Sequence, residues 1–380
     1  MKKFNENKTK KIKYVNSFLK LVIKRKEAKN LLHISECQRI LVFDFDAIGD
    51  IVMLIPFLRV LRRNASKAQI SLVCRPHAKD VLEQQGLVDE YFLCDHRWFS
   101  SFKALLSDVC SAVKIISRIN KVKYNLALEP RGDLRDIFFM HFCNADRKAA
   151  YTYTGGEYML TDPIEPSQSV EHLIEDKMYF LRQMGCEFKE EDSIPRFHLL
   201  PQQEEDNRLF CEKYGINGKV IVGIHPGASM EIKRWKSFPE LLSKIYTCYK
   251  NVFFLIFSES EELKADSSII EVARSLNVPF YNVNTNLTEY IQRLAICDTV
   301  ICNDSSAGHI AAAFGIDVHV IFGPVMPELA KPYSFSNVYV YENRQISCRP
   351  CNQKTCNHNM ECLNTILVDE VFEGVKRSLD

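Results

Sequence analysis

Three aspartates crowd the turn that leaves the first long apolar run: Asp44, Asp46 and Asp50 in ILVFDFDAIGD. Asp50 falls in the first turn of the helix expected next, where a carboxylate gains roughly 0.3–1 kcal/mol from the helix dipole whether or not it does chemistry. That loop alone decides little. A second loop, from His225 to Trp235, reads HPGASMEIKRW. A turn containing Gly227, with Ala228 and Ser229 after it, lets backbone N–H groups approach a phosphate, and Lys233 can neutralise its charge. A third loop runs from Asn303 through Asp304, Ser305 and Ser306 to His309, ahead of a helical IAAAFG. Asp304 or Ser305 can cap that helix, and the N–H groups of its first turn can hold an anion. Late in the chain Cys348, Cys351, Cys356 and Cys362 lie close together, with His358 among them. Thiols at that spacing can complete a tetrahedral structural zinc, stay reduced, or form a redox-labile pair.

The elements that must carry these loops alternate. From Arg39 short β-rich runs (ILVFDF, ISLVC, YNLALE) exchange with helical spacing, and from Lys219 the alternation restarts with VIVGIHP, FFLIF, DTVICN and VHVIFGP. Such alternation predicts α/β architecture, with a doubly wound parallel sheet in each half. With 380 residues there is room for two domains. We expect a basic extension over 1–38, a first domain over 39–200 and a second over 201–380, the stretch 163–203 bridging them. In such sheets ligands bind outside the carboxyl ends of the strands, which is where all three loops fall.

A net charge of +1 offers no general attraction to nucleic acid. The lysines of the first thirty residues are a local exception, and a basic amphipathic helix there either rests on an anionic membrane surface or is a solvated tail. Its apolar run is interrupted by Lys20 and too short for a secretion signal, which points to a cytoplasmic chain. Fourteen cysteines without such a signal argue against a disulfide scaffold.

The segment DAIGDIVMLIPFLRVL, the HPGAS…K-R-W loop, the NDSSAGH loop and the Phe322-Gly323-Pro324 turn occur in this order. Together they resemble the ADP-heptose:lipopolysaccharide heptosyltransferases of glycosyltransferase family nine. The resemblance implies two facing Rossmann-like domains of GT-B type with a cleft between them, and inverting transfer needing no cofactor. It puts Asp50 at the family's general-base position. Ser229 and Lys233 fall at diphosphate-contacting positions, and Asp304, Ser305, Ser306 and His309 at the donor's diphosphate. Glu261 or Glu262 would take the ribose, and Gly323 and Pro324 would lie beside the base. The partners implied are a nucleotide-sugar donor and a lipid-linked or oligosaccharide acceptor. Two rival readings stand beside it. DFD after an apolar strand also resembles the start of haloacid-dehalogenase phosphatases, which would use Asp44 as nucleophile and Asp46 as acid. The other rival is a non-catalytic nucleotide-binding member of the same fold.

Overall fold

Apolar runs too continuous to leave one face wet become the strands of two parallel sheets, each covered by helices. The computed structural model describes residues 16, 17, 20, 23, 33–94, 105–167, 169–258, 264–351, 353 and 355–380. Most of the basic extension, and both Glu261 and Glu262, lie outside the described residues. The chain divides into two compact units, Met1–Ser193 and Ile194–Asp380. The division falls before residue 200 because Phe197 is already committed to the second unit. Its N–H donates to the Ala313 carbonyl at 2.8 Å, and its ring stacks on Phe314 at 5.3 Å.

In the first unit β1 (Arg39–Asp44) leads through α1 (Ile48–Val52) and α2 (Ile55–Asn64) to β2 (Gln69–Cys74). Pro56 sits at the start of α2, so the single helix expected after the aspartate turn is in fact two. Next come α3 (Pro76–Leu82), β3 (Glu90–Leu93), α4 (Leu105–Ile119) and β4 (Tyr124–Glu129). The unit continues with α5 (Leu134–His141), β5 (Ala145–Tyr151), β6 (Asp162–Ile164) and α6 (Leu173–Gln183). Helix α6 lies inside the stretch expected to be a bridge. It belongs to the first unit, with Phe180 packed on Phe57 and Tyr151. The sheet order is β3-β2-β1-β4-β5-β6, every pair parallel.

The second unit opens with α7 (Pro201–Lys213) and then β7 (Val220–His225), α8 (Phe238–Cys248) and β8 (Val252–Phe257). Helix α9 (Lys264–Ser275), β9 (Phe280–Val283), α10 (Leu287–Leu294) and β10 (Thr299–Asn303) follow. Helix α11 (Ser306–Ala313), β11 (Asp317–Ile321), α12 (Pro327–Ala330) and β12 (Val338–Tyr341) complete the sheet, and α13 (Glu361–Asn364) and α14 (Val368–Leu379) close the unit. Its order, β12-β11-β10-β7-β8-β9, is the first sheet's order read from the other side, again all parallel. In each unit the winding reverses between two central neighbours, β1 and β4 in the first, β7 and β10 in the second. Crevices outside the carboxyl ends of such a pair are where doubly wound sheets bind ligands.

Candidate active site

The first switch point gathers the acidic turn. Asp44, the last residue of β1, is buried, and one carboxylate oxygen accepts from the Lys177 ammonium at 2.7 Å. Its other oxygen accepts from the Asp46 N–H at 3.0 Å, closing the turn. Asp46 pairs in turn with Arg131 at 2.9 Å, a contact that joins the loop after β1 to the loop after β4. Asp50 lies in the first turn of α1, as expected, in a recess that still touches water. Desolvation, then the charge of Asp46, raises its pKa to about 7; Lys177 and Arg131 oppose the rise and Asp44 adds to it. Gly49 lies inside α1 and is not among the glycines of positive φ, so no tight glycine turn forms there.

The loop after β4, EPRGDLRD, was not singled out from the sequence. Glu129 ends β4 and accepts from the Gly132 N–H at 2.6 Å; burial, then Asp136, pushes it well above the usual carboxylate range. Gly132 has φ +77°, and a Cβ there would meet Tyr151 and Tyr153 at 2.9 Å, so only glycine fits. Burial, then Asp133, raises Asp136 to about 8. The missed signal was positional: a charged, glycine-containing turn directly after an apolar strand.

The second switch point gathers the other two loops. Asn303, the last residue of β10, reaches across to the loop after β7. Its amide nitrogen donates to the Pro226 and Gly227 carbonyls at 2.8 and 3.3 Å, and its amide oxygen accepts from the Trp235 N–H at 3.0 Å. Arg234 closes the same loop by donating to the Ala228 carbonyl at 2.9 Å. Ala228 is fully buried, whereas Ser229 is exposed. Lys233 bridges the two loops, its ammonium 2.6 Å from the Asp304 carboxylate. Ser305 occupies the N-cap of α11 without a side-chain hydrogen bond to the first turn, so neither expected cap is made there. Ser306 opens the helix, and His309 is buried on it; burial, then the Lys233 charge, outweighs Asp304 and lowers the imidazole to about 4.

The late cysteines adjoin this region. Cys348, Cys351, Cys356, Cys362 and His358 line one cavity of about 260 Å³ together with Ile232 and Pro324. Among the described residues no three or more His, Cys, Asp or Glu side chains are grouped as a metal site. The cysteine segment braces the Gly323-Pro324 turn. The Cys351 N–H donates to the Pro324 carbonyl at 2.9 Å, and a Cβ on Gly323 would meet Leu363 at 2.8 Å.

Comparison with known families settles what this framework is. The model of glycosyltransferase family 9 (heptosyltransferase) matches residues 112–361, more than half of the chain. The chain belongs to glycosyltransferase family 9. A lipooligosaccharide heptosyltransferase 2 of Campylobacter jejuni is 29% identical over 168 residues, which are 42% of this chain and 52% of that protein. The chain thus spans about half the length of the curated relatives it matches. Among solved structures, a family 9 glycosyl transferase of Veillonella parvula superposes with TM-score 0.74 at 17% identity, covering 92% of this chain and 99% of that one. The E. coli ADP-heptose LPS heptosyltransferase II gives 0.71 at 17%, covering 90% and 98%. Family membership displaces the phosphatase reading, and the two aspartates that reading needs are tied to Lys177 and Arg131. The family match begins after the Asp44–Asp50 loop, so the role of that loop rests on its geometry.

Proposed function

We propose that the chain transfers a heptose from a nucleotide-diphosphate donor to a hydroxyl of a lipopolysaccharide-core glycan, with inversion and without a metal. The observation that carries this reading is Asp50, a carboxyl at the first switch point whose pKa is raised to about 7. A base near neutrality can take a proton from a hydroxyl as it attacks, without being too weak or permanently protonated. Attack by that oxygen on the anomeric carbon, from the face opposite the diphosphate, inverts the centre. The proton passes to Asp50 and the nucleotide diphosphate leaves.

The second unit supplies the leaving-group side. A diphosphate seated on the N-terminus of α11 meets first-turn N–H groups that have no side-chain cap, with the Lys233 ammonium beside them. Charge grows on the diphosphate as the sugar departs, so both aids act more strongly in the transition state than in the ground state. Neutral His309 can donate a hydrogen bond there without adding charge. The names of the relatives, heptosyltransferases of lipooligosaccharide and lipopolysaccharide, support heptose as the sugar and core glycan as the acceptor. Glu261 is retained as the ribose contact on the strength of the resemblance alone. For the late cysteines we adopt reduced thiols that brace the turn beside the base. The lysine-rich start supports contact with an anionic membrane face, and among the described residues no helix is long and apolar enough to cross a membrane.

Calorimetry with ADP tests the donor half. Wild type and Asp50→Asn should bind alike, and Lys233→Ala should bind at least tenfold more weakly. No ADP binding by wild type would overturn the reading; ADP binding with no transfer by wild type would favour the non-catalytic reading, and full transfer activity in Asp50→Asn a mechanism with a different base.

A further inference from the structure

Lys177 lies on α6, the helix expected from sequence to be part of a bridge, and no motif pointed to it. It is nevertheless the only buried lysine among the described residues, with its side chain 5% exposed. Its ammonium meets the Asp44 carboxylate, itself fully buried, at 2.7 Å. The helix is pinned so that this contact has little freedom. The Tyr151 hydroxyl donates to the Asp176 carbonyl at 2.6 Å, the Tyr153 hydroxyl to the Asp176 carboxylate at 2.7 Å, and His172 caps the first turn through the Ile174 N–H at 3.1 Å. Asp44 passes the constraint on, because its second oxygen holds the Asp46 N–H.

We propose that Lys177 is a positioning residue for the transfer reaction: a buried counter-ion that anchors Asp44, orders the turn to Asp46, and keeps Asp50 available as a base. The proposal rests on the reading of Asp50 as that base. Five further groups face this turn: Asp44 from β1, Asp46 from the turn itself, Arg131 from the loop after β4, Lys177 from α6, and from α3 His77, whose ring nitrogen lies 2.8 Å from the Asp46 carbonyl. These three carboxylates therefore share two cations, and Arg131 is shared further with Asp136 of α5 at 3.7 Å. Burial alone would depress the Lys177 ammonium, but Asp44, Asp46 and Asp50 outweigh it and hold the lysine charged. Reciprocally, Lys177 lowers Asp50 and Asp44 raises it, with Lys177 the stronger of the two.

The two members of the pair should therefore act on Asp50 with opposite sign. In protein labelled with carbon-13 at the aspartate carboxyls, the Asp50 resonance, identified by its loss in Asp50→Asn, can be titrated directly. Lys177→Met should raise its midpoint and Asp44→Asn should lower it, each by roughly half a unit to one unit. Lys177→Arg should stay near wild type. The acid limb of kcat/KM should move with each midpoint. Midpoints unchanged within about 0.2 units, or moving in the same direction, would overturn the proposal. If Lys177→Met fails to fold, the downward shift in Asp44→Asn decides alone. Should the midpoints move as expected while the kinetic limb stays fixed, the electrostatic role of Lys177 stands and the assignment of Asp50 as base fails.

Discussion

Asp50 and Lys233 face opposite physical problems. The carboxyl at position 50 is disfavoured in its charged form by its recess and by Asp46, so its folded pKa lies above the ordinary value of about 4. Folding and ionisation then oppose each other. No penalty exists below about pH 4, where the carboxyl is protonated folded or unfolded; it builds as pH rises through about 7 and is constant above. Asp50→Asn should accordingly stabilise the protein at pH 8 by on the order of 1 kcal/mol, a value discounted because the side chain still touches water, and leave it unchanged at pH 4. Thermal unfolding at the two pH values checks this. Lys233, by contrast, has its ammonium against the Asp304 carboxylate at 2.6 Å, beside the N-terminus of α11. Lys233→Ala should lower turnover by roughly 10²- to 10³-fold and weaken donor binding as well, because Asp304 is then left to repel the diphosphate. Lys233→Arg should recover only part of either, since a planar fork does not reproduce a point charge. Steady-state kinetics with donor varied would separate the two effects.

At the scale of elements, the ends of β1 and β4 form one loop cluster in the first unit and the ends of β7 and β10 another in the second, each stitched together by its own side chains. Asn303 is the clearest case, since a single amide fixes both arms of the loop from Pro226 to Trp235. Asn303→Ala strands buried backbone groups and should cost roughly 1–3 kcal/mol in stability. Gly132→Ala should cost about as much, from its positive φ and from contact with Tyr151 and Tyr153. Denaturant unfolding would measure both. These stitches also mark what the sequence could and could not tell. Strand identity was readable because β1, β7, β8 and β10 are buried on both faces and so appear as unbroken apolar runs. The Gly227 and Asp304 loops were readable because turn residues follow such runs directly. Lys177, Arg131 and Asn303 were not, because each acts on a residue far away in the chain and looks locally like an ordinary helix, turn or strand-end residue. Ser305 misled for the converse reason: its position is that of a cap, but its side chain makes no capping bond. The split of α1 from α2 was announced by Pro56, and its effect was underestimated.

Over the whole molecule, one strand order is used twice, and each use leaves a different kind of chemistry at its switch point. The first unit presents carboxylates balanced by two cations, and the second presents a lysine and a helix N-terminus suited to a diphosphate. ADP should therefore stabilise the fold in the absence of divalent metal. At 100 times its dissociation constant the gain should be roughly 2.7 kcal/mol, visible as a rise in melting temperature that EDTA does not abolish. Whether Asp50 is the base of a glycosyl transfer is read from the pH dependence of kcat/KM for transfer of heptose from its ADP donor to a core-glycan acceptor, with EDTA present. The wild-type rate should rise with pH to a plateau, its acid limb centred near pH 7, and Asp50→Asn should fall by roughly 10²-fold or more at every pH and lose that limb. Retention of the wild-type profile and rate by Asp50→Asn would contradict Asp50 as the base.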